Sequence, residues 1–124
     1  MNVLIDTHSL LWFLTENQSL SSKAKTSIEQ SRIIYVPTIV LLELLYVLQK
    51  KDQTNKFSKF LKEIKNNSRY ITIAVDIAVV EEASRKPIGL EMHDRIIVAC
   101  AEILKVPVIT MDKKIKQTYS KTIW

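Results

Sequence analysis

The chain has 124 residues, a length typical of one domain, and 47% of them are hydrophobic, which supplies a core and excludes a disordered chain. Eighteen Lys and Arg against 13 Asp and Glu give a net charge of +5, which favours an acidic partner such as nucleic acid. A single cysteine excludes an internal disulfide and a cysteine-based zinc site, and a single glycine excludes a Gly-rich phosphate loop.

Short β-branched runs alternate with longer amphipathic runs, and two helical runs separate some consecutive short ones. In chain order the pattern predicts strand 3–5, helices 9–15 and 21–30, strand 33–36, helices 38–51 and 54–67, strand 71–73, helices 76–85 and 93–105, strand 106–109, helix 113–119 and strand 122–123. No linker interrupts this series. It predicts a single α/β domain over residues 1–124 with a mostly parallel sheet of roughly five strands.

The chain carries no sign of a targeting or membrane segment. The first residues lack the basic start of a signal peptide. The longest apolar stretch, residues 38–48, contains Glu43 and is shorter than the about 20 residues that span a bilayer. The sequence therefore predicts a cytoplasmic protein that has no membrane partner.

Two carboxylates lie just after predicted strands. Asp6 comes after Val3-Leu4-Ile5, and Asp112 comes shortly after the run 106–109. Ligands of open parallel sheets bind outside the carboxyl ends of the strands, so the two side chains are expected to share one crevice. Each aspartate taken alone is equally suited to cap the helix that follows it, a contribution of about 1 kcal/mol.

Two further acids occupy less ordinary places. Glu43 lies within TIVLLELLYVL, a helix that is apolar nearly all round and is therefore predicted to be buried. A buried carboxylate is costly unless it is paired or faces a cation, so the alternatives are an ion pair with Arg32 or Arg95, or an exposed edge of the helix. Asp94 lies at the start of a predicted helix, where it also fits a capping role.

Together Asp6, Glu43, Asp94 and Asp112 would repel one another in one crevice, and their pKa values would rise. A divalent cation removes that repulsion, and hard oxygen ligands suit Mg²⁺ or Mn²⁺. Metal-assisted hydrolysis of phosphodiester bonds is the chemistry that uses such a site, because the metal activates a water and stabilises the leaving oxygen. His8 and His93 lie beside two of these acids, and the more common role for such histidines is a hydrogen-bonding spacer.

The segments LIDTHSLLWFL, PTIVLLELLYVL and MHDRIIVACAEILKVPVITMDKKI resemble a PIN domain of the kind found in VapC-type toxins of bacterial toxin–antitoxin pairs. The resemblance covers essentially the whole chain, although residues 50–90 match only in helical character. It implies a three-layer α/β/α sandwich and Mg²⁺-dependent ribonuclease activity. It places the family's acidic cluster on Asp6, Glu43, Asp94 and Asp112, with the hydroxyls of Thr7 and Thr110 beside them. It also implies a homodimer and inhibition by a small antitoxin protein.

Roles follow as a hypothesis. Asp6, Asp94 and Asp112 hold the metal, while Glu43 either joins them or orients the attacking water as a base. The lysines after the last acid either track the RNA backbone or form a solvated helix face: Lys113, Lys114 and Lys116. Trp12 and Trp124 can stack on bases, although the neighbours of Trp12 favour a place in the core or in a dimer interface.

Other function classes fit the sequence less well. A PIN-like fold that has lost nuclease activity and serves as a binding scaffold is the main alternative, and the complete set of four acids argues against it. A receiver domain needs paired acids after its first strand, where Asp6 stands alone. A haloacid-type phosphatase needs Asp-x-Asp, and Asp6-Thr7-His8 does not supply it.

Overall fold

A parallel five-stranded sheet runs through the middle of the protein, seen in a computed structural model that describes residues 1–124. The strands are β1 (Asn2–Ile5), β2 (Ile33–Pro37), β3 (Tyr70–Ile73), β4 (Val108–Ile109) and β5 (Thr122–Ile123). Their order is β3-β2-β1-β4-β5, and every neighbouring pair is parallel. The first strand is therefore the central one, as its uninterrupted apolar run predicts.

Helices fill the connections between the strands. They are α1 (Thr7–Leu14), α2 (Ser22–Gln30), α3 (Thr38–Lys50), α4 (Asn55–Asn66), α5 (Ile77–Ser84), α6 (Met92–Leu104) and α7 (Lys113–Thr118). Two helices lie between each of the first four consecutive strands, and the predicted α/β/α sandwich is confirmed. None of the helices is long and apolar enough to cross a membrane.

The core forms where α3 and α6 pack together beside the central strand. Val3, Leu4 and Ile5 of β1 are fully buried. Leu44 and Leu48 on the inner face of α3 are also fully buried, one helical turn apart. Because these elements are held by shared apolar contacts, the strand ends and helix starts around them have fixed positions.

Three helices begin with an aspartate N-cap of the same geometry. Asp6, Asp76 and Asp112 are the N-caps of α1, α5 and α7, and in each the Oδ1 atom accepts a hydrogen bond of 3.0 Å from the amide three residues later. The capping role expected for Asp6 and Asp112 is therefore present. It fixes one oxygen of each carboxylate at the carboxyl end of a strand.

Two local predictions are wrong. Strand β4 covers only Val108–Ile109, because Lys105 adopts a left-handed conformation (φ 56°) and the amide of Val106 donates to the carbonyl of Ala101 at the end of α6. Helix α3 is not buried all round, since Leu42 and Tyr46 are 62% and 59% exposed. The apolar side chains on the outer face of α3 therefore do not contribute to the core.

Candidate active site

A cleft of about 650 Å³ opens at the carboxyl ends of the central strands. Its walls come from the start of α1, the middle of α3, the start of α6 and the segment that leads into α7. Five carboxylates line it, namely Asp6, Glu43, Glu91, Asp94 and Asp112. The four acids singled out in the sequence therefore lie together, although they come from four separate segments of the chain.

Adjacent strands position two of these carboxylates. Ile5 of β1 pairs with Ile109 of β4, so the residues that follow them leave the sheet side by side. The amide of Asp6 donates to the carbonyl of Ile109 (3.3 Å), and the Thr110 hydroxyl accepts from the amide of Asp112 (3.0 Å). Thr110 is fully buried and does not line the cleft, so its hydroxyl helps to position Asp6 and Asp112 from the protein interior.

Glu43 enters the cleft from the side of α3 and is held at both oxygens. The Thr7 hydroxyl donates to Oε1 (2.7 Å), and Nε2 of His93 lies 3.2 Å from Oε2. The expected alternative of an ion pair with an arginine is wrong, because Arg95 donates instead to the carbonyls of Ile88 and Leu90. Glu43 is 27% exposed at its side chain, which leaves it open to the cleft.

His93 is the residue that sequence reasoning undervalued. Its Nε2 atom lies 3.3 Å from Oδ1 of Asp94 and 3.6 Å from Oε2 of Glu91, in addition to the contact with Glu43. One imidazole thus touches three carboxylates. The available signal was its position next to Asp94 in the first turn of α6, which gives both side chains access to the same end of the helix.

Burial and mutual repulsion set the acidity of the site. Burial raises the pKa of Asp94 to about 6, with His93 opposing this and the charges of Asp112 and Glu43 adding to it. Burial also raises the pKa of Asp6, against hydrogen bonds from Ser9 and Thr110. Carboxylates that resist ionisation in this way are stabilised in their charged form by a nearby cation.

The sequence pattern of the PIN domain matches residues 3–121, which is nearly the whole chain. The chain belongs to the PIN-domain family. No protein of curated function matches its sequence significantly.

Solved structures that share this PIN fold are distant in sequence. A toxin–antitoxin complex from Klebsiella pneumoniae has a chain that is 21% identical, with 98% of this chain and 96% of that chain covered and a TM-score of 0.72. A chain of VapBC2 from Rickettsia felis, bound to a DNA fragment from its promoter, is 15% identical, with 100% of both chains covered and a TM-score of 0.74. VapC20 from Mycobacterium tuberculosis, a toxin that cleaves the sarcin–ricin loop, is 12% identical, with 93% of both chains covered and a TM-score of 0.74. At these identities the likeness shows the fold.

The donor set of this PIN domain fits a hard divalent cation. Asp6 and Asp112 each commit only one oxygen to a helix amide, and Asp94 and Glu43 line the same cleft. Glu91, His93 and Asp94 also present ligand atoms that lie within 4.8 Å of one another. Oxygen donors dominate both groups, which suits Mg²⁺ or Mn²⁺ better than a soft metal.

The remaining predicted residues divide between cleft and surface. Lys113 and Lys114 line the cleft beside Asp112, whereas Lys116 does not. His8 and Trp12 also line the cleft. Trp12, for which base stacking, the core and a dimer interface were the alternatives, is half-buried and packs against the core as well. The PIN-domain site therefore combines acids, cations and aromatic rings.

Proposed function

We propose that this PIN domain is an endoribonuclease that depends on Mg²⁺ or Mn²⁺ and acts as one unit over residues 1–124. The observation that carries the proposal is the meeting of Asp6, Glu43, Asp94 and Asp112 in one cleft, with the pKa of Asp94 raised to about 6. Such a cluster is costly to the fold, which favours a functional reason for it. A cation held there would polarise a water and offset charge on the phosphate.

The chain's own residues supply the rest of the reaction. Asp6, Asp94 and Asp112 would hold the cation, while Thr7 and His93 fix the Glu43 carboxylate. Water attack forms a bond to phosphorus and breaks the bond to the leaving ribose oxygen, which takes up a proton from solvent and so balances the proton that the attacking water loses. Glu43 Oε2 is placed to accept the proton of the attacking water, next to Nε2 of His93 at 3.2 Å.

An RNA substrate is supported by charge. The chain carries a net charge of +5, and the exposed Lys113 and Lys114 line the acidic cleft, where they can neutralise phosphates on either side of the scissile bond. VapC20 from Mycobacterium tuberculosis, which shares the fold, is a toxin that cleaves the sarcin–ricin loop.

A place in a toxin–antitoxin pair is the biological part of the proposal. The fold is shared with chains of a toxin–antitoxin complex from Klebsiella pneumoniae and of VapBC2 from Rickettsia felis. By analogy the partner is a cognate antitoxin protein, and the cleavage takes place in the cytoplasm.

A second copy of the chain is the proposed partner for an apolar face outside the cleft. Val80 and Met92 are 51% and 60% exposed and line a small apolar cavity of about 180 Å³ with Val75 and Ile96. Exposed apolar patches of this kind mark interaction surfaces. This supports the homodimer that the resemblance implies.

The test is cleavage of a total-RNA pool by the purified protein with Mg²⁺, with Mn²⁺ and with EDTA, and with Asp94→Asn in parallel. Discrete products that require the metal and disappear in the variant would support the proposal. Metal binding by calorimetry with no products from any RNA would contradict it and favour the binding scaffold.

A further inference from the structure

Three aromatic side chains form a cluster at the edge of the acidic cleft. The ring centroids of His8 and Trp12 lie 5.7 Å apart with a tilt of 51°, and those of Trp12 and Trp124 lie 5.8 Å apart with a tilt of 57°. Distances and tilts of this size are those of interacting aromatic pairs. The cluster therefore joins α1 to the last residue of the chain in one fixed arrangement.

The cluster faces the cleft through α1. His8 lies two residues after Asp6, and Trp12 lies one turn later on the same face of the helix. Both line the cleft, while Trp124 packs against Trp12 and does not line it. His8 is exposed whereas Trp12 is half-buried, so His8 offers the open ring and Trp12 holds that ring in place.

The same cleft also holds the groups that bind a phosphate backbone. Lys113 and Lys114 are exposed and line it together with the acids. An aromatic ring beside cations that track a backbone is the arrangement by which proteins bind single-stranded nucleic acid, because every base offers a flat face. Bases within a duplex are already stacked on each other and do not present that face.

We propose that His8, supported by Trp12, stacks on an unpaired base next to the scissile phosphate. The position of the base next to a cleaved phosphate rests on the proposed ribonuclease function. The stacking itself rests only on the positions of the two rings at the cleft. It makes His8 and Trp12 specificity residues, with no part in the bond-breaking step.

The experiment uses the chain's own fluorescence. Trp12 and Trp124 are its only two tryptophans, and both belong to the cluster. A short single-stranded RNA is added to the protein in EDTA at low ionic strength, where no metal-dependent cleavage takes place, and the change in fluorescence gives its Kd. The same Kd is measured for a matched duplex and for a series of single strands with one abasic nucleotide at successive positions. Trp124→Phe keeps a ring behind Trp12 and leaves Trp12 as the single emitter.

Two variants of His8 separate stacking from a polar role. His8 is exposed, so His8→Ala should fold normally, and circular dichroism checks this. We expect His8→Ala to weaken binding of the single strand about fivefold or more, and His8→Phe to stay within about twofold of the wild type. One abasic position should weaken binding to a similar degree, and the duplex should bind more weakly than the single strand.

The inference is overturned if His8→Ala binds like the wild type, if His8→Phe loses as much as His8→Ala, or if no abasic position matters. Its failure is distinct from failure of the nuclease proposal. Metal-dependent cleavage with an unchanged KM in His8→Ala refutes only the stacking. Base-dependent quenching with no cleavage of any RNA refutes only the nuclease.

Discussion

Asp6 has two tasks at the end of β1: it caps α1 through Oδ1, and it lines the acidic cleft. Asn can perform the first task, since its carbonyl oxygen accepts the same amide hydrogen bond, but it carries no charge for a cation. We therefore expect Asp6→Asn to keep the fold and to lose RNA cleavage by about a hundredfold or more. Cleavage assays and thermal unfolding measure the two effects separately.

The chain contains a matched control for that variant. Asp76 caps α5 with the same 3.0 Å bond from the amide three residues later, but it does not line the cleft. Asp76→Asn should therefore keep the cap of α5 and leave cleavage intact. Equal cleavage by both variants would show that Asp6 serves only as a cap.

Asp94 makes the stability of the metal-free protein depend on pH. Its folded-state pKa is about 6 against an ordinary 3.8, so between these values the folded state keeps a proton that the unfolded chain has lost. The free energy of unfolding is then highest below this window and falls as the pH rises through it, and the raised pKa of Asp6 acts in the same direction.

Urea unfolding in EDTA at about pH 5 and about pH 7 measures this effect, with an expected loss on the order of 1–2 kcal/mol at the higher pH. Asp94→Asn removes the titrating group, so its loss should be smaller. Mg²⁺ should restore stability to the wild type at pH 7 but much less to the variant. A wild type that becomes more stable from pH 5 to pH 7 in EDTA would contradict the raised pKa.

Among the elements, the end of α2 depends on the side chain of Arg69, the residue just before β3. The Arg69 guanidinium donates to the carbonyls of Ile28 (2.6 Å), Glu29 (3.1 Å) and Ser31 (2.7 Å), the last carbonyls of that helix and the residue after it. Arg69→Met leaves the half-buried carbonyl of Ser31 without this donor and removes one of two donors to the carbonyl of Ile28, which keeps the amide of Ser31 (3.2 Å). We expect it to lower the free energy of unfolding by about 1–3 kcal/mol.

Arg85→Met is the matched control for Arg69, because Arg85 is 64% exposed at its side chain and pairs only with Glu82. Its loss should stay below about 1 kcal/mol. Neither arginine lines the cleft, so cleavage per folded molecule should not change in either variant. Equal losses of stability would show that the carbonyls of α2 are satisfied by water instead.

Prediction from sequence succeeded for the elements because their signals are local. Periodicity identified every strand and helix, and the acids at strand ends followed from the topology of a parallel sheet. It failed where contacts join distant segments. The pairing of Glu43 with His93, 50 positions later, and the packing of Trp12 on the last residue are set by the tertiary fold and leave no local pattern.

At the scale of the molecule, the exposed apolar side chains form a second surface apart from the cleft. Val80 on α5 and Met92 on α6 lie on it, and the exposed Leu42 and Tyr46 give α3 an apolar outer face as well. Stable protein interfaces bury about 1,200–2,000 Å² and exclude charge from their centre. A charge at Val80 should therefore disrupt the proposed homodimer.

Sedimentation velocity over a concentration series tests the homodimer. The wild type should sediment as a dimer at micromolar concentration, and Val80→Asp should shift to monomer with its circular dichroism unchanged, because half of that side chain is already in solvent. Ile103→Asp is the control, since Ile103 is 45% exposed at the opposite end of α6 and should leave the dimer intact. A monomeric wild type, or a Val80→Asp dimer as stable as that of Ile103→Asp, would mean that this apolar surface serves another partner.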